Sequence, residues 1–332
     1  MPTLSVIVPI YNQEKYVEEC LVSLLSQATD QVEYILMDDG SRDKSGEICR
    51  AVMARYPADA RLIRQENQGL LATRRNGLAL ARGEYIWFVD SDDCAMPGAV
   101  AALLEAAGRG EFDVILFNAT SRKESGTPLF VYPFPDGSVF TGEGKYDLYR
   151  LLCGTDRLNN IWAKCVRRTL MEKEDVYRDI EGVSNGEDLY QSLALMDLAD
   201  SVYFMDRVLY YYRVNLQSMS RSYNPRHFAS EKKVCARRLA YAKKWSRGDD
   251  ELTEGANRWI MRILRDVTRK LFVSDLPWSD IQREMTALRQ DPFYRAHYLN
   301  ARYDKNRRDL VLKSPLPLMR ALKGLYAFGS GR

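Results

Sequence analysis

Two acidic clusters in the first hundred residues are the part of this sequence best equipped for chemistry. One is Asp38-Asp39-Gly40-Ser41 and the other Asp90-Ser91-Asp92-Asp93, and each directly follows an apolar run. Five carboxylates gathered in one place repel one another unless a cation or hydrogen-bond donors lie among them. A divalent metal is the simplest neutraliser. Held by oxygen ligands, it should be a hard ion, Mg2+ or Mn2+. Such ions complete their shell with substrate phosphates, so a diphosphate-bearing ligand follows. Each cluster alone also has an ordinary reading. Asp-Gly-Ser is common turn chemistry with Gly40 at positive φ, and Asp90-Ser91-Asp92 suits a helix N-cap with an acidic first turn. Capping does not call for this many acids at neighbouring strand ends.

The elements that must position these clusters are legible in the apolar periodicity. Strands are expected over 4–10, 32–37, 61–64, 85–89 and 113–118. Between the first two, Val17, Cys20, Leu21, Leu24, Leu25 and Ala28 recur at helical spacing and form one apolar face. Ser41 is the expected N-cap of the next helix. Gly69 precedes another, over about 70–81, closed by Arg82-Gly83. This alternation implies an α/β fold, a mostly parallel sheet with helices on both faces. Ligands bind such sheets beyond the carboxyl ends of the strands, where both acidic clusters and Pro9-Ile10-Tyr11-Asn12 fall. From 121 to 225 the pattern loosens. Segments 129–132 and 138–140, separated by Pro133, Pro135 and Gly137, suggest an irregular hairpin. Helices are expected over 143–153 and 187–198, and an aromatic-rich strand over 201–213. Beyond Pro225 the chain turns helical and basic, with amphipathic patterns over 230–245, 252–272 and 276–288.

Composition narrows the class. The chain has 332 residues, 46% hydrophobic and 28% charged, which fits about two globular domains and excludes a disordered or disulfide-stapled protein. No run approaches the ~18 apolar residues that cross a bilayer, and the strand-like N-terminus does not resemble a signal peptide. Six cysteines without metal-ligand spacing suit small core positions in a reducing cytoplasm. With two histidines, His227 and His297, a His-rich zinc site or a Ser/His/Asp triad is not expected. The net charge of +3 hides an asymmetry. Residues 226–332 hold 24 Lys+Arg against 12 Asp+Glu, a net of +12, and the remainder holds 24 against 33, a net of −9. The basic segment is expected to attract anionic partners, above all an anionic membrane surface at the inner face of the cell membrane. Arg320 and Lys323 beside Leu316, Leu318, Met319, Leu322 and Leu325 fit that role. No nucleic-acid motif accompanies it. The same helices could join two copies of the chain.

Residues 3–95 resemble the nucleotide-binding half of a glycosyltransferase family 2 enzyme with the GT-A fold. The matching pieces are Val6-Ile7-Val8-Pro9-Ile10-Tyr11-Asn12, Asp38-Asp39-Gly40-Ser41, Asn67-Gln68-Gly69 with Arg74-Arg75-Asn76-Gly77, and Gly83-Glu84-Tyr85 leading to Asp90-Ser91-Asp92-Asp93. The likeness continues through Ile161-Trp162-Ala163-Lys164, Gly186-Glu187-Asp188, Tyr212-Arg213 and Ser218-Met219-Ser220, and fades after about 225. It implies a catalytic domain over 1–225, with a nucleotide-binding half (1–120) and an acceptor half (121–225), followed by the helical extension 226–332. It implies roles as well. Pro9 and Tyr11 would line the base pocket, and Asp39 would accept from a pyrimidine N–H. Asn67 and Arg75 would flank the nucleotide, Asp90 with Ser91 would meet the ribose, and Asp92 would hold Mn2+ or Mg2+. Arg213, Ser218 and Ser220 would belong to a loop closing over the diphosphate. Asp188 would be the general base, kept ionised in a first helical turn. Glu187, in a capping-box pattern with Ser184, would also contact the acceptor, as would Trp162 and Lys164. His227 is left out of the metal site.

The implied activity is metal-dependent inverting transfer of a hexose or N-acetylhexosamine from a nucleotide diphosphate donor, UDP-linked, to a glycan or lipid-linked glycan. Two rivals stand beside it. A sugar nucleotidyltransferase would want a Gly-rich, basic loop after the first strand, which Pro9-Ile10-Tyr11-Asn12 lacks. A catalytically silent sugar-nucleotide-binding or scaffold subunit would not need Asp90, Asp92 and Asp188.

Overall fold

The structure, a computed structural model, describes residues 1–183, 185–214, 225–248, 250–301 and 307–329, with side chains throughout except at 225–227, 307–309 and 324–329. Every residue of β1 (Leu4–Ile10) and β2 (Val32–Asp38) is buried, which requires a strand covered on both faces. They pair in parallel with each other, and with β3 (Asp59–Arg64) and β4 (Tyr85–Phe88) on either side. The sheet continues through β5 (Cys94–Ala95), β6 (Val114–Thr120), β7 (Val139–Thr141), β8 (Lys164–Arg167) and β9 (Ser201–Tyr211). Its order is β3-β2-β1-β4-β8-β6-β9-β5, with β7 on β9. The expected mostly parallel sheet is therefore a mixed one. Strand β8 runs antiparallel to both β4 and β6, while β6 and β9 are parallel.

Helices α1 (Val17–Leu25), α2 (Ser45–Met53), α3 (Leu70–Leu80) and α4 (Ala99–Arg109) cover the sheet. Alternate residues Val6, Val8 and Ile10 share a core with α1 and α4, through Cys20, Leu21, Leu24, Val100 and Leu103. The opposite face belongs to α3. A Cβ at Gly77 would sit 2.5 Å from Ile7 Cγ2 and 3.2 Å from Met37 Cγ, so a glycine is what lets α3 lie this close. Gly83 is equally constrained, since a Cβ there would come within 2.6 Å of the Ser5 amide nitrogen. At that root of β1, buried Glu33 accepts from Ser5 Oγ (2.6 Å), from Arg82 through its N (2.6 Å) and Nε (2.9 Å), and from Arg61 Nη2 (2.8 Å).

Three local expectations give way. Helix α2 begins at Ser45, so Ser41 is not its cap. Asp43 Oδ1 accepts from the Ser45 N–H at 3.0 Å, and Ser41 Oγ instead accepts from the Asn12 N–H at 3.1 Å. The hairpin over 129–140 does not form. Pro133 and Pro135 lack N–H groups for a ladder, and Phe130, Tyr132 and Phe134 pack as an aromatic cluster against Phe140 and Phe204. Only Val139–Thr141 pairs, and with β9. Strand β9 ends at Tyr211, because the Arg213 N–H turns to the Asp93 carboxylate.

The later helices are α5 (Tyr146–Gly154), α6 (Arg168–Met171), α7 (Glu174–Tyr177), α8 (Glu187–Leu198), α9 (Pro225–Trp245), α10 (Glu251–Val273), α11 (Trp278–Gln290), α12 (Pro292–Tyr294), α13 (Arg307–Leu312) and α14 (Leu316–Gly329). By proximity the chain forms two compact units. One comprises Met1–Lys145, Arg157–Arg178 and Ala194–Val214; the other comprises Tyr146–Asp156, Asp179–Leu193 and the described residues of Asn215–Arg332. The second unit has its own core, built on Ile260, Met261, Leu264 and Leu271 of α10 with Ile281, Met285, Tyr294 and Tyr298. All six cysteines are buried and unbridged. Among the described residues no helix is long and apolar enough to cross a membrane.

Candidate active site

Strands β2, β1 and β4 lie side by side and point the same way, so their carboxyl ends form one rim. The Asp39 N–H bonds to the Ile10 carbonyl at 2.8 Å, and the Val89 N–H to the Ile7 carbonyl at 3.0 Å. The sheet thus brings Pro9-Ile10-Tyr11-Asn12, Asp38-Asp39 and Asp90-Ser91-Asp92-Asp93 together. Pro9 is buried under the rim, and Tyr11 is 44% exposed on it.

The repulsion expected among the acids is relieved case by case. Asp38 does turn chemistry: its Oδ1 accepts the Ser41 N–H at 2.8 Å, and Arg64 stands 3.6 Å from Oδ2. Asp39, also buried, accepts Gln65 Nε2 (2.8 Å) and the Gln68 N–H (2.9 Å) on Oδ1, and the Gly69 N–H (2.9 Å) on Oδ2. It thereby fixes the loop that carries Asn67, whose Nδ2 returns to the Asp39 carbonyl at 3.1 Å. Gly40 makes that approach possible, with φ +77° and the Asn67 nitrogen 3.1 Å from where a Cβ would be. Asp90 pairs with Arg74, whose Nη2 is 2.7 Å from Oδ1. Asp93 accepts Tyr210 Oη (2.7 Å) and the Arg213 N–H (2.7 Å). Burial, with Asp90 and Asp92 close by, pushes its carboxyl up to about 8.

Asp92 is different. Burial and then the Asp90 charge raise its pKa, with its own backbone N–H and Arg213 acting in the other direction. No other described residue donates to its side chain. A half-buried carboxylate beside another acid, with no ion-pair partner among the described residues, is a fitting ligand for a hard divalent ion. Among the described residues no three His, Cys, Asp or Glu side chains gather into a metal cage. A donor set of one carboxylate completed by substrate phosphates matches the preference of Mg2+.

Two residues at the rim escaped the sequence reading. Arg74 is 1% exposed and reaches Asp90, whereas Arg75, expected to flank the nucleotide, is exposed over the Tyr177 ring at 5.0 Å with Glu174 at 3.3 Å. The signal for Arg74 was its phase, since Thr73, Gly77 and Leu78 are the buried positions of α3. Tyr210 is fully buried and bridges the two acids, donating to Asp93 and accepting the Asp90 N–H at 3.1 Å. One tyrosine among Tyr210-Tyr211-Tyr212 carries no sign of that role.

Two residues expected at the acceptor are engaged within the fold. Lys164 is 1% exposed, and its ammonium donates to the Leu158 carbonyl at 2.8 Å and to the Asn160 carbonyl, so it orders the 158–160 turn. Trp162 is buried and stacked on Tyr210 (4.5 Å) and Tyr212 (5.6 Å), with its carbonyl taking Trp87 Nε1 at 2.9 Å. These two rings engage its indole within the fold. Arg213 is tied to the acidic loop, its Nε donating to the Asp92 carbonyl at 2.8 Å and its Nη2 to Glu19. Ser91 is buried. Ser218 and Ser220 lie outside the described residues, as do Ser184 and the His227 side chain. Glu187 and Asp188 occupy the first turn of α8, in the second unit, and both are half-buried.

Comparison with known proteins adds a lineage to this geometry. Residues 5–165 match the family model described as glycosyl transferase family 2. The chain is 32% identical over 231 residues to the putative glycosyltransferase EpsH of Bacillus subtilis, covering 69% of this chain and 66% of EpsH. It is 32% identical over 224 residues to glycosyltransferase GlyG of Streptococcus pneumoniae, covering 66% of this chain and 73% of GlyG. In solved structures it resembles residues 1–349 of S. aureus TarS in complex with UDP-GlcNAc. The TM-score is 0.65 at 19% identity, covering 99% of this chain and 92% of that one.

Proposed function

The chain belongs to glycosyl transferase family 2, and from that membership we propose that it is a metal-dependent inverting transferase. It moves a sugar from a nucleotide diphosphate donor, UDP-linked, to a hydroxyl of a glycan or lipid-linked glycan in surface polysaccharide synthesis. Asp92 carries this reading: among the described residues it is the rim acid that has neither an ion-pair partner nor a donor from another residue to its side chain. Asp92 would hold Mn2+ or Mg2+ together with the donor phosphates, and the ion would supply Lewis-acid stabilisation of the departing diphosphate.

The remaining roles belong to this chain's own residues. Tyr11 offers an exposed ring face to the base above Pro9. Asp39 retains about one of its four acceptor sites for a pyrimidine N–H after three internal bonds. Arg74 orients Asp90 for the ribose, with Ser91, Asn67 and Arg75 around the nucleotide. Arg213 braces the Asp92 loop from behind. Asp188 removes the proton from the acceptor hydroxyl as it attacks, and Glu187 contacts the acceptor. A second carboxylate acting as acid is unnecessary, because the leaving diphosphate needs no proton.

Ligand-linked stabilisation tests the reading before any acceptor is known. Thermal unfolding is followed with UDP-, GDP- and dTDP-sugars in Mn2+, with UDP-GlcNAc, held by TarS on this fold, tried first. A rise in Tm with one nucleotide class, lost in EDTA, is expected. No rise with any donor would remove the proposal.

A further inference from the structure

Asp188 stands on a turn that the C-terminal helices build. Helix α8 starts from Asn185-Gly186, and the Gly186 carbonyl accepts the Tyr190 N–H at 3.0 Å in the first helical turn. That turn is gripped from α9. The Asn185 N–H donates to Ser230 Oγ at 3.1 Å, and the same hydroxyl donates back to the Asn185 carbonyl at 2.8 Å. Asn185 Nδ2 donates to Glu231 Oε1. Gly186 adopts φ +84°, and a Cβ there would meet Val234 Cγ2 at 3.1 Å. One turn further along α9, the Arg237 guanidinium lies 4.0 Å from the centroid of the Tyr190 ring. Residues 230, 231, 234 and 237 share one face of a helix, being spaced at i, i+1, i+4 and i+7. All of these groups lie in one compact unit, together with Asp188.

We infer that this face of α9 is a positioning device for the general base, with Ser230, Glu231 and Val234 setting the Asn185-Gly186 turn and so the direction in which Asp188 projects. The inference rests on the reading of Asp188 as base. It gives the C-terminal helices a part in the reaction beyond attachment. Both hydrogen-bonding capacities of the Asn185 backbone are used by one hydroxyl, so neither the N–H nor the carbonyl is free to let the turn rotate. Ser230 and Val234 are almost fully buried, which keeps water from replacing these contacts. Burial also raises the Glu231 carboxyl to about 7, against Asn185, Lys270 and Arg238, with Asp266 adding to the rise. Its Oε1 accepts from Asn185 in either protonation state, so a glutamine can stand in for it.

The test uses the full chain, with UDP release from UDP-Glc, UDP-Gal, UDP-GlcNAc and UDP-GalNAc in Mn2+ as the turnover assay. UDP affinity is measured separately by calorimetry, and amide exchange is followed over 185–193. A displacement of about 1 Å at a catalytic group costs on the order of 100-fold in rate. S230A and E231L are therefore expected to lower kcat at least about tenfold, to quicken exchange over 185–193, and to leave the Kd for UDP within twofold. E231Q is expected to restore kcat. In a D188N background, S230A should cause no further loss. S230A and E231L turning over like wild type, with D188N inactive, would overturn the positioning role and leave the base assignment standing. A D188N enzyme with wild-type turnover would overturn the base and this inference together. Equal losses of kcat and UDP affinity in S230A, the milder change, would mark general destabilisation and also overturn it.

Discussion

Removing one oxygen atom should loosen the acidic rim without opening a hole. In Tyr210→Phe the ring stays, with its stack on Trp162 at 4.5 Å and its edge contact with Trp87 at 6.4 Å, so the cavity cost is close to zero. What goes is a buried hydroxyl making two bonds, to Asp93 at 2.7 Å and from the Asp90 N–H at 3.1 Å. A buried hydrogen bond contributes about 1 kcal/mol net, and a donor or acceptor left unpaired costs about 1–3 kcal/mol. The Asp90 N–H loses this partner, whereas Asp93 keeps the Arg213 N–H. The expected loss is therefore ~2–3 kcal/mol, read by urea unfolding of the variant against wild type. Because the two bonds hold Asp90 and Asp93 at the rim, UDP affinity in Mn2+ should fall alongside, by about tenfold for ~1.4 kcal/mol. A stability change under ~0.5 kcal/mol, the range of ordinary surface substitutions, would refute the bridging role. So would a full stability loss with UDP affinity untouched.

Asp93 should leave a mark on the pH dependence of stability. Its folded pKa of about 8 lies above the ordinary carboxyl value. The folded state therefore keeps a proton that the unfolded chain releases above pH ~4. Its contribution is full below pH ~4 and is lost as pH rises through about 8, with a slope of up to ~1.4 kcal/mol per pH unit between. In EDTA, Asp93→Asn should lack that decline, and parallel unfolding curves for the two proteins over pH 4–8 would count against it. Gly83→Ala and Gly69→Ala separate two kinds of glycine. The first drives a Cβ to 2.6 Å from the β1 backbone and should cost ~3 kcal/mol. The second meets open space, but φ +85° with ψ 166° is backbone that glycine alone adopts readily, so its cost of ~1–3 kcal/mol arises in the backbone and not in packing; Gly83→Ala costing under ~1 kcal/mol in urea unfolding would contradict the packing argument. The basic C-terminal helices expose Leu310 and Leu318, and the chain should sediment with phosphatidylglycerol vesicles at low salt but not with phosphatidylcholine. Equal recovery with both lipids would end the membrane reading.

The first half of the fold was legible because β1, β2 and β4 are buried along their length and end in polar clusters, so period and punctuation agreed. Helix α8 was equally plain, expected over 187–198 and found there, directly after Gly186. The acidic rim was legible as a set, but not the separate duty of each acid. Four of the five are occupied with Arg74, Arg64, Tyr210 or backbone N–H groups, and those partners come from α3, β3, β9 and the 65–69 loop. Arg74 and Arg75 look interchangeable in the chain, and only the 100° step of a helix turns one inward. Lys164 gave no sequence sign that its ammonium turns inward to the Leu158 and Asn160 carbonyls, although Ala163 and Cys165 beside it are buried. The 129–140 segment misled. Its aromatic residues suggest a strand, but its prolines deny the ladder and leave side-chain packing to decide.

If Asp92 holds the divalent ion on which the donor diphosphate depends, removing its charge should weaken the binding of that ion. Calorimetric titration of Mn2+ into the UDP-saturated protein, wild type against Asp92→Asn, addresses it most directly. The substitution keeps the shape of a half-buried side chain and removes only its charge, so the unliganded fold should persist. Mn2+ affinity should be at least about tenfold weaker in the variant, ~1.4 kcal/mol or more, with a Tm in EDTA no lower than wild type, because burial and Asp90 already disfavour the Asp92 charge. Mn2+ binding to the variant with wild-type affinity would contradict it.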